Sequence, residues 1–178
     1  MMSWALLMRF FLLMCIDHNA TVRQTAKAFV KQHPGHTVIS YVNTTAAVKA
    51  VTDVVVTSTN ARQIVESFPE GTPMIFGPDR NLGNYINSIT GRNMLLWDGA
   101  CHVHEQFSLE KILSLKKQYP NAEVITHPEC KQPVIQVSDF VGSTAALLKH
   151  TIKSDAKQFI VATESGVIHE MRNQSPHK

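Results

Sequence analysis

The chain alternates between short apolar runs and longer amphipathic stretches. The runs TVISY at 37–41 and EVIT at 123–126 are short and continuous, which is typical of buried strands. The stretch at 21–32 instead places its apolar residues on one face of a helix, with Thr21 and Gln24 as a capping box. Strands of this kind between helices predict an α/β fold with short parallel sheets covered on both faces, in a three-layer αβα arrangement.

The same criteria predict the other elements along the chain. Further strands are predicted at 53–57, 73–77, 93–97 and 139–142. Further helices are predicted at 44–51, 58–68, 80–90, 108–118 and 143–152, the fourth of them capped by Ser108. Helices and strands therefore alternate through most of the chain, in the order that parallel sheets require.

Two segments of the chain resemble each other at a constant offset of about 86 residues. Residues 15–58 align with residues 101–144 without a gap, so that Cys15 falls on Cys101. In the same alignment TVISYVN falls on EVITHPE, and TDVVVTS falls on SDFVGST. The sequence therefore predicts a duplicated unit, each copy with its own helices and strands.

Polar residues follow the predicted strands in both units. Ligands of parallel sheets collect beyond the carboxyl ends of the strands. These ends carry Tyr41, Asn43, Thr57, Ser58, His127, Glu129, Ser143 and Thr144. Ser58, Thr59 or Ser143 is also predicted to begin a helix, where free N–H groups suit an anion such as phosphate; simple N-capping is the alternative for each hydroxyl.

The composition weakens two classes of function. The 178 residues carry a net charge of +3 without a lysine- or arginine-rich run, so a nucleic-acid surface is a weak interpretation. The apolar stretch MMSWALLMRFFLLMCI is interrupted by Arg9 and is too short to span a membrane. It also lacks a basic start and a cleavage site, which favours a buried segment over a signal peptide.

Three cysteines are spread along the chain without a disulfide framework, which favours a reducing compartment. The patterns CHVH and HPEC together supply two thiolates and two imidazoles, the ligands of a structural zinc site. The repeat argues against zinc, because Cys130 falls on Thr44 and neither pattern recurs in the first unit. Structural zinc is therefore the less favoured alternative.

Only the pair Cys15 and Cys101 is repeated, which indicates a ligand set assembled from one cysteine per unit. Two thiolates are few for an iron–sulfur cluster, which usually takes four, and a buried inert cysteine is the alternative for each. A further step of about 86 residues from Cys101 leads to a position near 187, beyond Lys178. The spacing therefore predicts a third unit whose cysteine lies outside this chain.

Several motifs, in this order, resemble the quinolinate synthase family from about Cys15 to Lys178. They are VISYVNTTAAVKAVTDVVVTSTNA, PDRNLG, LLWDGACHVHEQF, THPEC, DFVGSTAALL and FIVATESGVIHEM. The resemblance implies three similar α/β domains around a central active site. Residues 1–22 would then be a remnant of the first domain, 23–106 the second, and 107–178 a third that is incomplete at its C-terminus.

The resemblance implies an enzyme that condenses iminoaspartate with dihydroxyacetone phosphate to quinolinate for NAD biosynthesis. It further implies a 4Fe–4S cluster and a cytoplasmic location. It also implies coupling to an L-aspartate oxidase or an aspartate dehydrogenase, with neither nucleic acid nor membrane as a partner. Whether this chain is active by itself stays open, and the alternative is a non-catalytic α/β remnant that binds small molecules without a cluster.

The resemblance also implies roles for individual residues. Cys101 and Cys15 match cluster ligands, although the flanks of Cys15 depart from the Gly-Cys-Ser-like context of the family. Catalytic roles fall on Glu129, His104 and Tyr41. The implied substrate-binding residues are Tyr41, Asn43, Ser58, His127, Glu129, Ser143 and Thr144.

Overall fold

The computed structural model describes residues 20–178, with side chains from Ala26 onward. Cys15 therefore lies outside the described residues, and so do the side chains of the predicted capping box. The chain divides into two compact units, one ending at His102 and the other beginning at Val103. The domain limits predicted from the sequence stay predictions.

The described part of the first unit is a four-stranded sheet with helices. Its elements are α1 (Ala20–Gln32), β1 (Thr37–Tyr41), α2 (Ala46–Lys49), β2 (Val54–Val56), α3 (Ala61–Ser67), β3 (Met74–Gly77), α4 (Arg80–Thr90) and β4 (Leu95–Leu96). The strands lie in the order β2-β1-β3-β4, and every pair is parallel. Buried residues of the sheet pack with those of α3 and α4, among them Ile39, Phe76, Val65, Leu82 and Ile86.

The second unit repeats this plan with a three-stranded parallel sheet in the order β6-β5-β7. The remaining elements are α5 (His102–Glu105), α6 (Leu109–Gln118), β5 (Glu123–Thr126), α7 (Gln132–Gln136), β6 (Phe140–Val141), α8 (Thr144–Lys153), β7 (Phe159–Ala162) and α9 (Gly166–Gln174). Val124 of β5 packs with Ile112 of α6 and Val134 of α7. The next residue, Ile125, packs with Leu147 of α8. Successive strand residues point to opposite faces, so helices cover both faces of this sheet.

These observations confirm the predicted α/β class with short parallel sheets. The predicted helix at 80–90 has the bounds that the sequence indicated, because Asp79 caps its start and Gly91, at φ 69°, ends it. Ser108 caps α6 by accepting the N–H of Lys111. Of the helices within 20–178, none has the length and apolar character that crossing a bilayer requires.

The prediction that Ser58 or Thr59 begins a helix is wrong. Helix α3 begins at Ala61, and Asn60 occupies the N-cap position. The carbonyl oxygen of the Asn60 side chain accepts the backbone N–H of Thr57 at 2.7 Å, which closes a turn over the residues between them. Ser58 lies within this turn, so it stands before the helix rather than at its start.

The predicted repeat is visible in the hydrogen bonds of the two sheets. In the first unit the Asp53 carboxylate accepts the N–H of Val38 at 2.8 Å, and in the second the Asp139 carboxylate accepts the N–H of Val124 at 2.8 Å. A hydroxyl pair beside each carboxylate matches as well. Ser40 bonds Thr52 at 2.7 Å, and the equivalent pair, Thr126 and Ser138, is 2.5 Å apart.

Candidate functional site

Most residues that the sequence selected lie at the carboxyl ends of strands. In the first unit Tyr41 ends β1, Asn43 follows it, and Ser58 follows β2. In the second unit His127 and Glu129 follow β5, and Ser143 and Thr144 follow β6, the neighbouring strand. Each unit therefore carries its own set of polar residues at one edge of its own sheet. That Tyr41 and His127 serve one central site stays a prediction.

The second unit brings His104 and Glu129 into direct contact. Nδ1 of His104 lies 2.9 Å from a carboxylate oxygen of Glu129, although the two residues are far apart along the chain. Both are buried, His104 at 6% and Glu129 at 2% exposed. A carboxylate and an imidazole at this distance form an ion pair when the imidazole is protonated, and a proton can pass between them.

His127 stacks on His104 beside this pair. The two ring centroids are 4.5 Å apart, and the ring planes differ by 16°. The backbone N–H of Glu129 donates to Nδ1 of His127 at 3.3 Å, so that nitrogen is an acceptor. The single ring proton of neutral His127 is therefore on Nε2, where it can be donated to a ligand.

Burial, with a smaller contribution from the neighbouring His104, lowers the pKa of His127 to about 4, while Glu129 opposes the shift. At neutral pH His127 is therefore an uncharged imidazole. A neutral donor of this kind can polarise an oxygen on which negative charge develops. The cluster of two histidines and a carboxylate thus combines one proton-transferring pair with one fixed hydrogen-bond donor.

Thr163 is a member of this cluster that the sequence did not single out. It follows β7 directly, is 4% exposed, and its hydroxyl lies 3.2 Å from Nε2 of His104. The rule that selected the other rim residues applies equally to the end of this strand. Thr163 and Glu129 thus hold both ring nitrogens of His104, which fixes the orientation of the imidazole.

Ser143 provides a second polar feature at the same edge. It is buried and caps α8, where its hydroxyl accepts the N–H of Ala146 at 3.3 Å. The sequence predicted this cap correctly. The remaining free N–H groups of the first turn of α8 form an environment that favours an anion.

The two described cysteines have different surroundings. Cys130 is fully buried in the core of the second unit, and its thiol donates to the carbonyl of Ala162 at 3.4 Å. Cys101 lies at the end of the loop that leads from β4 to α5, and its backbone N–H donates to the carboxylate of Asp79. Along the chain Cys101 is followed three residues later by His104 of the cluster. Thiolate sulfur is the donor that iron–sulfur clusters use, so Cys101 fits one corner of such a group.

Comparison with known proteins decides the family. The family model described as quinolinate synthetase A protein matches residues 14–178. The chain belongs to this family. It is 53% identical to a quinolinate synthase from Synechocystis over 150 residues, which cover 84% of this chain and 47% of that protein. It is 52% identical to one from Chloroherpeton thalassium, with the same coverage of both chains.

A third relative gives the same result. The quinolinate synthase from Nostoc punctiforme is 52% identical over 151 residues, which cover 85% of this chain and 47% of the relative. The chain thus spans about half the length of the curated relatives it matches, 47% in these three cases. Family membership accounts for the motifs that the sequence shares with quinolinate synthases.

Proposed function

We propose that this chain carries a large part of a quinolinate synthase, which condenses iminoaspartate with dihydroxyacetone phosphate to quinolinate for NAD biosynthesis. The observation that carries the proposal is the buried contact of His104 with Glu129, stacked on the neutral His127, in a chain of this family.

The location that we propose is cytoplasmic, because three widely spaced cysteines are typical of a reducing compartment.

The overall reaction defines what the site must do. Condensation of the two substrates to quinolinate releases one phosphate and two molecules of water, with no net oxidation or reduction. Each elimination requires that a proton leave carbon or nitrogen while an oxygen departs. Proton transfer by a buried carboxylate and a buried imidazole matches these steps.

We assign the proton transfers to Glu129 together with His104. Glu129 would accept a proton from substrate carbon and pass it to Nδ1 of His104, 2.9 Å away, which restores the carboxylate and leaves an imidazolium beside it. His127 would donate the proton on Nε2 as a hydrogen bond to an oxygen on which negative charge develops. Tyr41 is the remaining catalytic proposal, as a hydrogen-bond donor from the first unit.

Substrate binding is proposed for Asn43, Ser58, Ser143 and Thr144, together with Tyr41, His127 and Glu129. Ser143 and Thr144 begin the ten-residue helix α8, whose N-terminus favours a phosphate or a carboxylate. An L-aspartate oxidase or an aspartate dehydrogenase is the kind of enzyme that would supply the imine substrate.

The cofactor that we propose is a 4Fe–4S cluster, with Cys101 and Cys15 as ligands. When bound, such a cluster supplies a Lewis acid toward a substrate oxygen at an iron that no cysteine occupies. Among the described residues Cys101 offers the thiolate for it, whereas the thiol of Cys130 contacts the carbonyl of Ala162 inside the core.

The test is an anaerobic assay of this chain, of the Synechocystis enzyme, and of a completed protein. The completed protein is this chain with flanking segments taken from the Synechocystis enzyme. We expect quinolinate, detected by mass spectrometry, from the completed protein at a rate comparable to that of the Synechocystis enzyme. No quinolinate from a folded completed protein that holds its iron would refute the proposal.

A second candidate is a non-catalytic α/β remnant that binds small molecules without a cluster. It predicts that the completed protein still binds dihydroxyacetone phosphate in calorimetry but makes no product. Structural zinc, the third candidate, predicts zinc without iron or sulfide in metal analysis. Iron and sulfide without zinc would exclude it.

A further inference from the structure

A turn in the first unit holds the loop that carries Cys101. The turn is the segment 77–80, between the end of β3 and the start of α4, and the loop is the segment 97–101. The N–H of Arg80 donates to the carbonyl of Gly99 at 2.7 Å. The guanidinium of Arg80 also contacts the carboxylate of Asp98 at 2.7 Å.

The turn and the loop also pack closely at two places, where a glycine of one lies against a side chain of the other. A Cβ atom on Gly77 would stand 2.4 Å from the Cβ atom of Trp97, and one on Gly99 would stand 3.0 Å from the Cβ atom of Pro78. Glycine at these two positions therefore allows the two backbones to approach each other.

Asp79 connects this turn to Cys101 directly. One carboxylate oxygen accepts the N–H of Leu82 at 2.8 Å, which caps α4. The other oxygen accepts the backbone N–H of Cys101. Asp79 is only 3% exposed, so both bonds form away from water, where an unmade hydrogen bond is costly.

We propose that Asp79 is a positioning residue, which fixes the backbone of Cys101 so that its thiolate is held in place for the cluster. This inference rests on the proposed function, since it gives Cys101 its role as a ligand. An anchored backbone limits the positions that the sulfur can reach, and a metal site loses affinity when its ligands must be ordered on binding.

The repeat contains an acidic residue at the equivalent place. Gly77 of β3 pairs with Ser40, and Ala162 of β7 pairs with Thr126, the residue equivalent to Ser40. Counting two residues onward from each leads to Asp79 and to Glu164. The Glu164 carboxylate accepts the N–H of Gly166 at 2.7 Å, at the start of α9. Both units thus place a carboxylate after this strand, and that of Asp79 reaches a cysteine.

The test substitutions are Asp79→Asn and, as a matched control, Asp53→Asn. Both replace a carboxylate that accepts a backbone N–H in the first unit, but Asp53 bonds Val38 rather than Cys101. An asparagine at position 79 has one acceptor oxygen and an N–H₂ group, so it cannot accept from both Leu82 and Cys101 in the same way.

The first readout is independent of the cluster and uses the 178-residue chain. Amide hydrogen exchange at Cys101, followed by NMR, should be roughly 10-fold faster or more in Asp79→Asn. Asp53→Asn should accelerate exchange at Val38 and leave Cys101 unchanged. Equal exchange at Cys101 in the wild-type chain and in Asp79→Asn would overturn the proposal, and so would equal acceleration there in both variants.

The second readout is iron and sulfide bound after anaerobic reconstitution of the completed protein. Asp79→Asn should lower bound iron several-fold, and Asp53→Asn should leave it near the wild-type level. Full iron in Asp79→Asn, when Cys101→Ser has none, would overturn the positioning role alone. Full iron in Cys101→Ser would instead overturn the metal assignment of the proposed function, while the exchange result would still decide whether Asp79 anchors this backbone.

Discussion

The two units share a scaffold and differ in the chemistry at its edge. Asp53 and Asp139 make the same bond to the strand beside them, at 2.8 Å in both units. The units differ where β1 and β5 end, because Tyr41 of the first unit corresponds to His127 of the second. Asn43 likewise corresponds to Glu129. The carboxylate bonds that hold the sheets together are the same in both units, whereas the second rim carries a histidine and a glutamate where the first carries a tyrosine and an asparagine.

This difference shows which features a duplicated fold requires. The carboxylate and the hydroxyl pair form hydrogen bonds with buried backbone and side-chain groups in both units. Losing them therefore lowers the free energy of unfolding in either unit. Rim residues carry no such requirement, because they lie beyond the ends of the strands. They are therefore free to differ, and function accumulates there.

The largest expected effect comes from comparing Cys101, which the repeat pairs with Cys15, with Cys130, which it pairs with Thr44. In the completed protein Cys101→Ser should abolish the bound iron and sulfide, because a thiolate ligand is lost. Cys130→Ser should leave them nearly unchanged, because Cys130 lies in the core against Ala162. Loss of metal in Cys130→Ser would instead support a zinc-like pairing with His127.

The same measurement applies to this chain by itself. With Cys15 and Cys101 as the proposed ligands, at most two thiolates are available for a cluster that has four corners. We expect the 178-residue chain to lose a reconstituted cluster on exposure to air. Extending it by about ten residues with a cysteine near position 187 should restore part of the iron, as the repeat predicts.

The next effect tests the residues that make the second rim titratable. Glu129→Gln in the completed protein should lower quinolinate formation by about 10²- to 10⁴-fold, because the amide cannot accept a proton. The matched control is Glu105→Gln, a carboxylate of the same unit that contacts Lys131 at 3.5 Å. Similar rates for both variants, measured anaerobically in single turnovers, would show that Glu129 is not a catalytic residue.

A smaller effect concerns the pH dependence of stability. The pKa of His127 is lowered in the folded state to about 4, so the unfolded chain binds the proton more tightly. Stability from this group is complete above pH about 6.5 and falls as the pH decreases toward 4, by on the order of 3 kcal/mol. Tyr41 stands at the equivalent position of the first unit.

Urea unfolding between pH 7 and pH 4 measures this contribution. His127→Gln should flatten the pH dependence over that window, while Tyr41→Phe should leave it unchanged. Glu123, whose pKa is lowered by its hydrogen bond to His150, adds a separate loss in more acidic solution in all of these variants. An unaltered slope in His127→Gln would show that the ring is not held neutral.

The smallest effect tests the shared scaffold. Asp53→Asn and Asp139→Asn each remove a charged acceptor from a backbone N–H, which should lower the free energy of unfolding by about 1–2 kcal/mol. The two losses should agree within about 0.5 kcal/mol if the units are equivalent. Denaturant unfolding monitored for each unit would detect a larger difference. Such a difference would mean that the two units share the geometry of this hydrogen bond but not its contribution to stability.

Local pattern determined most of the elements. The helix at 80–90 was predicted with its observed bounds, because amphipathic periodicity and the caps Asp79 and Gly91 are all local features. The helix predicted at 58–68 was placed three residues too early at its start, because the side chain of Asn60 closes a turn ahead of Ala61. The strand β7 and the helices α5, α7 and α9 were not predicted. Helices α5 and α7 have only four and five residues, too few for a helical period to be recognised.

The sequence alone determined the repeat, the α/β class and the rim residues, because equal spacing and strand ends can be recognised along a single chain. Only the tertiary structure showed that His104 contacts Glu129, that Thr163 completes this cluster, and that Asp79 holds the backbone of Cys101. Each of these contacts joins residues that are far apart along the chain. Hydrophobic periodicity reports the face on which a residue lies but carries no information about its partner on another segment.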